Sequence, residues 1–300
     1  MPPRFLAIVL IGFTAATSLA AGGQAGTAVA RTAFFTAVDQ KGNYVDDLGP
    51  ADLTVRDGGR VREILRTGPS SLRLKINLVI DDTLALNDTV RGATVTFVER
   101  MQSSADLALY LTGGSGTSKL VDFNASPVRF RQVLNELPRR SQGGGNLVES
   151  LYRIIGDTHR LEGRRVVVIL TTETPQRTTV TANGVLDQLR DTGAVLYAAT
   201  LAVTGAIEPP TPEMAHLEVM EEIERDRVLN DGPRQSGGLR LPLLNMEAFA
   251  GALDRIAREL GHQHMVTYVI PAGAKTDGSV SIASQRKGVT VRGPRQLPKI

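Results

Sequence analysis

Cysteine is absent from the 300 residues. That excludes disulfides, a thiolate zinc site, a cysteine nucleophile and lipid attachment through an N-terminal cysteine. Tryptophan is absent too, aromatics make up only 4% of the chain, and 34 Lys+Arg against 31 Asp+Glu leave a net charge of +3. A nucleic-acid binder displays a basic stripe with stacking aromatics, and neither feature is present. The arginine pairs Arg139-Arg140 and Arg164-Arg165 read as solvated surface. Long apolar runs are also missing. Phe5 to Phe13 is too short to cross a bilayer comfortably, and no other segment approaches the required length. With Arg4 before it and Ser18-Leu19-Ala20 after it, this run reads as a signal peptide, residues 1–20, cleaved after Ala20. No membrane span is expected after cleavage, and the rival reading is an uncleaved N-terminal anchor.

What is present organises into a leader and three sequence regions. Residues 21–30 are Gly/Ala-rich and read as a flexible leader. Residues 31–70 have β character: Thr32–Val38, Leu53–Arg56 and Val61–Leu65 read as strands, with Asp57-Gly58-Gly59 as a hairpin turn. Over 71–262 strands and helices alternate. Lys75–Ile80 is an apolar strand that stops at Asp81-Asp82, and Arg164–Thr172 is nearly all apolar, as a central parallel strand covered on both faces must be. Helices are expected over 88–101, from Pro127, over 146–159 and over 181–192, where Gly193 ends the helix. Another runs from Asn245 to about Leu260, and a helical stretch is expected within Met214–Val228. Residues 263–300 return to β character. The alternation predicts a doubly wound, mostly parallel α/β sheet. The flanking strands predict one small β domain made from both ends, with 263–300 packing on 31–70.

The motif positions carry a resemblance. Asp39, Gly42, Val45, Leu48, Asp52, Leu53, Val55, Asp57 and Gly59 share one spacing, Asp81 closes the first α/β strand, and Gly237-Gly238, Asn245, Tyr268 and Pro271 follow later. Together, over about 32–291, these resemble the bacterial VWFA-related family of exported proteins, built on a von Willebrand factor A-type domain. The resemblance implies a divalent-ion site above the C-terminal ends of the parallel strands, in which a partner's carboxylate completes the metal's shell.

Carried over residue by residue, that site is degenerate. Asp81 is kept and Thr83 supplies a hydroxyl, but Ala85, Gly145 and Thr172 stand where the family has serine, threonine and aspartate, and Glu173 stands where it has glycine. Mg²⁺ requires six oxygens in near-octahedral order, and two or three poorly replace its water. The metal site, Asp81 with Thr83, is therefore expected to be vestigial, with no cofactor; the alternative is weak Mg or Mn binding. The candidate ligand-binding residues of the top loops are Asp81, Asp82, Thr83, Gly144, Asn146, Thr172 and Glu173. For Asp81 a purely structural role, accepting backbone N–H bonds at a strand end, stays open.

Other chemistry is thin. His262 and His264 would share one strand face, but no third ligand is apparent. Ser115 follows a strand without the helix a nucleophile elbow needs. Glu218, Glu221, Glu222 and Glu224 read as a solvated acidic helix face. No acid, base and nucleophile converge, so the chain is expected not to be an enzyme. The expectation is a periplasmic or secreted, metal-independent module that binds a protein or peptide of the cell envelope. Metal-dependent adhesion through Asp81 and Thr83 is the first alternative and an uncharacterised hydrolase the second.

Overall fold

The computed structural model describes residues 28–299 apart from 115, 140–144, 175, 177 and 203–211, and the side chains of 212–218 lie outside the description. The signal segment, Ser115, Gly143, Gly144, His216 and Glu218 therefore fall outside it in whole or in side chain.

The six-stranded sheet has the order β10-β9-β8-β5-β6-β7, built from β5 (Leu74–Asp81), β6 (Ala105–Gly113), β7 (Gly116–Val121), β8 (Arg164–Thr172), β9 (Val195–Leu201) and β10 (Arg240–Leu243). All neighbours pair in parallel except β6 with β7. The doubly wound, mostly parallel sheet expected from the alternation is the sheet observed. One face packs against α1 (Asp88–Met101), α2 (Pro127–Glu136) and α6 (Ala248–Gly261), around Ile76, Leu78, Phe97, Val168 and Phe249. The other packs against α3 (Leu147–Asp157), α4 (Ala182–Thr192) and α5 (Pro212–Ser236), around Val79, Leu151, Val167, Ile169 and Val185. Successive residues of β5 and β8 thus bury on opposite faces, which is why these strands carry no polar alternation.

Local signals set the helix ends. Asn87 Oδ1 accepts the Val90 N–H at 2.9 Å to start α1, and Gly193, at φ 65°, closes α4 in the left-handed region. The helix expected within 214–228 is much longer. At 25 residues α5 spans roughly 37 Å, more than the depth of the sheet. Pro233 sits inside its last turn; it has no N–H to give the carbonyl four residues back, and the helix ends within a turn of it. The turn after it brings Gly238 against the Leu196 carbonyl so closely that a Cβ at 238 would overlap that oxygen. Glu224, expected on a solvated face, instead accepts the Ala182 N–H at the start of α4.

Strands from both chain ends interleave beyond the N-terminal ends of β5 and β8. The sheet β13-β1-β11-β4 pairs β1 (Val29–Val38) with β11 (His264–Ile270) and β13 (Thr290–Arg292), and β11 with β4 (Ile64–Pro69), all antiparallel. The sheet β12-β2-β3 pairs β2 (Leu53–Asp57) with β12 (Val280–Ser284) and β3 (Arg60–Arg62). Phe35, Val55, Val266, Tyr268 and Ile282 fill the space between them. Asp57 is fully buried there, held by Arg31 at 2.8 Å and by the Tyr268 hydroxyl at 2.7 Å. Among the described residues no helix is long and apolar enough to cross a membrane.

Candidate functional site

The parallel strands deliver their last residues to one end of the sheet, the top. Asp81 ends β5, its register partner Thr112 lies on β6, and Thr171 lies on β8 one place beyond the Ile80–Leu170 pair. The fully buried Asp81 carboxylate is therefore flanked by a threonine on either side. Thr112 Oγ1 donates to Oδ1 at 3.1 Å and Thr171 Oγ1 donates to Oδ2 at 2.5 Å. Thr83, in the loop that follows, donates its hydroxyl to Oδ2 at 2.9 Å.

Gln176 completes the shell. Its amide nitrogen donates to Asp81 Oδ2, and its amide oxygen accepts the Leu147 N–H at 2.8 Å, satisfying one of the unpaired donors that open α3. The side chain is only 5% exposed. It fits because residue 145 is glycine: a Cβ there would stand 2.7 Å from Gln176 Cδ and Oε1 and 2.8 Å from Asp81 Oδ1. Thr172 joins one link further out, donating to the Thr83 hydroxyl at 2.9 Å and lying 2.8 Å from the Thr174 hydroxyl.

The nearby cation is Arg225 of α5, 1% exposed, with Nη1 3.5 Å from Asp226 and with Nε and Nη2 unpartnered among the described residues. Burial holds its guanidinium below the ordinary arginine range, and the charges of Asp81, Asp226 and Glu173 push back. A buried carboxylate and a buried arginine thus share the top without touching.

These residues do not fit a six-coordinate divalent ion. Among the described residues only one carboxylate points into the site, Oδ2 of that carboxylate already accepts three hydrogen bonds, Ala85 and Gly145 bring no side-chain oxygen, and the Gln176 amide fills the space. Among the described residues no group of three or more His, Asp or Glu is arranged for a metal.

The other candidates disperse. Asp82 turns toward Gly113, one of its oxygens buried without a partner among the described residues, and burial, then the neighbouring Asp81 charge, raises its pKa above the usual carboxylate value. Glu173 is exposed and pairs with Arg240 at 3.3 Å. Asn146 accepts from Ser150 at 2.8 Å, and Ser150 accepts from Thr117 at 2.7 Å, so it braces the start of α3. The structure brings Asp81, Thr83 and Thr172 together and leaves Asp82, Asn146 and Glu173 around them; Gly144 lies outside the described residues. Thr112, Thr171, Gln176 and Arg225 were missed. A threonine ending each strand beside Asp81 was a readable signal for the first two, while nothing local marks Gln176 or Arg225.

His262 Nδ1 and His264 Nε2 both meet Asp46, at 2.9 and 3.2 Å, and Tyr44 stacks on the His262 ring with centroids 4.4 Å apart. The histidine pair serves the junction between α6 and β11.

No family model matches the chain, and no curated protein matches it in sequence. Solved structures similar to it include proximal thread matrix protein 1 from the mussel byssus with a zinc-occupied MIDAS motif (11% identity, TM-score 0.45, 69% of this chain and 49% of that one). Others are the pilus adhesin SpaC from Lactobacillus rhamnosus GG (10%, TM-score 0.44, 88% and 48%) and the SpRpn10 VWA domain (11%, TM-score 0.40, 61% and 95%). The chain spans about half the length of the first of these. The neighbours include von Willebrand A-type proteins, the type named by the sequence resemblance. The strand order itself carries the fold assignment.

Proposed function

We propose that the chain is an exported, non-enzymatic binding module of the cell envelope, whose top face holds a protein or peptide without a divalent ion. The observation that carries this reading is the Asp81 carboxylate, whose oxygens accept from Thr83, Thr112, Thr171 and Gln176 side chains. Neutral donors and a nearby buried arginine stand in for the charge that a metal would bring. Among the described residues no nucleophile, base and electrophile converge at this face, which favours binding as the use of this sheet end. Leu244, just past β10, is 85% exposed at this same end, and α5 exposes Val219, Met220 and Ile223. Solvent-facing apolar side chains of this kind supply the core of a contact, with the Glu173–Arg240 pair at its rim. Export rests on Arg4, the apolar run and Ser18-Leu19-Ala20.

Metal independence is tested by envelope capture with the mature chain, in chelator and in added Mg²⁺. Equal capture in both, lost in Leu244→Asp, is expected. Capture that requires Mg²⁺, together with one-to-one Mg²⁺ binding abolished by Asp81→Ala, would return the site to metal-dependent adhesion.

A further inference from the structure

The opposite end of the six-stranded sheet holds a cleft of about 200 Å³ between the starts of β8 and β9, the end of α4, and β1 with the segment 294–298. Arg164, the first residue of β8, lines it. Although read from sequence as surface, Arg164 is only 6% exposed. Its guanidinium carbon lies 5.0 Å from the Phe34 ring centroid, and its side-chain hydrogen bond among the described residues goes to the Gln263 amide oxygen.

Among the described residues no carboxylate answers this charge directly. Gln263 donates to the Tyr197 hydroxyl at 3.0 Å, and Tyr197 donates to Glu259 at 2.8 Å. Glu259 in turn already pairs with Arg292. The relay therefore holds two buried or half-buried arginines against one carboxylate, and the positive charge left over belongs to Arg164. Burial pulls the Arg164 pKa down to about 10, which still leaves it charged at neutral pH. A buried cation without a counter-ion is among the costlier arrangements in a folded chain. Arg165 adds a second guanidinium to the lining; it donates to the carbonyls of Leu161 and Thr192, neither of them an anion. Arg190, also in the lining, is answered by Asp187 and Asp191. No Asp or Glu lines the cleft among the described residues. The remaining wall is largely apolar: Ala33, Phe34, Leu189, Val195, Leu297 and Pro298.

We propose that this cleft is a binding site for a small organic carboxylate with an apolar body, its carboxylate seated on Arg164 and its body on the apolar wall. The planar guanidinium fork matches a carboxylate in two hydrogen bonds. Arg165 commits its Nε, Nη1 and Nη2 to the carbonyls of Leu161, Thr192 and His159, so Arg164 is the guanidinium with donors to offer and selects a monoanion, and the walls select the apolar body. The site is separate from the top face and does not depend on the function proposed there.

The test titrates the full chain with benzoate, and in parallel with its uncharged amide, benzamide, and with acetate, following backbone amide resonances. Saturable benzoate shifts centred on 32–34 and 163–165 are expected, with little response to benzamide or acetate. In Arg164→Met benzoate binding should weaken about tenfold or more, the worth of a hydrogen bond to a charged group. The same variant should melt at or above the parent temperature, because it removes an unanswered buried cation; a purely structural arginine would lower it. Gln296→Trp, at the rim, leaves Arg164 in place but fills the cleft and should also block benzoate, so the inference stays testable if Arg164→Met fails to fold. No saturable benzoate shift, an equal response to benzamide, or unchanged affinity in these variants would overturn it.

Discussion

The two ends of the six-stranded sheet solve opposite problems. At the top a buried carboxylate, Asp81, accepts hydrogen bonds from four neutral side chains. At the bottom a buried guanidinium, Arg164, has one amide oxygen and an aromatic face. Both are charges taken out of water, and desolvation opposes each of them. A carboxylate can be satisfied by hydroxyls and amides that strand ends supply readily, whereas a guanidinium needs acceptors, and the bottom offers few. A closed charge holds a structure together; an open one leaves room for something to arrive.

The largest expected effect separates the two ends physically. The bottom is made from both chain termini, since β12 pairs with β2 and β13 with β1. We propose that these strands form one unit into which the α/β part is inserted. Deleting 278–300 should then collapse hydrogen-exchange protection in β1 to β4 while β5, β8 and β9 keep theirs, because two- and three-stranded remnants are marginal alone. Unchanged protection in 32–65 would show that the N-terminal strands stand by themselves.

Next in size is Asp81→Ala. It orphans the donors gathered around Asp81 and removes one of the negative charges near Arg225, leaving Asp226 and Glu173. A loss of about 3 kcal/mol or more is expected in urea unfolding. A loss below about 1 kcal/mol would mean that the network is not closed around this carboxylate.

A smaller effect tests whether the top can be reopened. Gly145→Thr alone should cost about 1–3 kcal/mol by overpacking against Gln176. Ala85→Ser, Gly145→Thr and Thr172→Asp combined should still bind no Mn²⁺ by calorimetry until Gln176→Ala is added. Binding by the triple variant with Gln176 retained would show that this side chain yields easily.

The smallest effect lies at the α6–β11 junction. Burial pushes the Asp46 carboxyl up, but hydrogen bonds from His262 and His264 outweigh it and hold the pKa below the ordinary 3.8. A depressed carboxyl contributes stability that is present above its ordinary value and lost as pH falls through the lowered one. Asp46 is about half exposed, so solvent screening leaves less than about 1 kcal/mol. Asp46→Asn should lower the urea midpoint slightly at about pH 5 and have no effect at about pH 2. An equal loss at both pH values would mean that packing, not charge, carries the contact.

Much of this was legible in the sequence because apolar periodicity reports burial. The run Lys75–Ile80 stopping at Asp81, and the unbroken Arg164–Thr172, located the central strands and the carboxylate at their end. Less was legible where a contact joins distant residues. Gln176 lies 95 positions from Asp81, and only the return of β8 to the side of β5 brings them together. Arg225 sits in a stretch whose acidic residues suggested solvent, and its burial depends on where α5 packs. β10, four residues with a proline, is an edge strand recognisable only by its parallel pairing with β9. Arg164 looked like surface because a charged pair beginning a strand usually is.

Gly145 sets an order on change. While Gln176 occupies the space beside Asp81, every residue with a Cβ at 145 meets it at 2.7 Å. While 145 is glycine, Gln176 loses its anchor on Asp81 only at the expense of the α3 donor that it also satisfies. A variant that placed a hydroxyl at 145 would therefore have to give up Gln176 first and pass through a form holding neither. That intermediate has a hole beside a buried carboxylate and an unpaired Leu147 N–H. The order is set by geometry: position 145 is expected to tolerate a side chain only in a background where Gln176 has already changed.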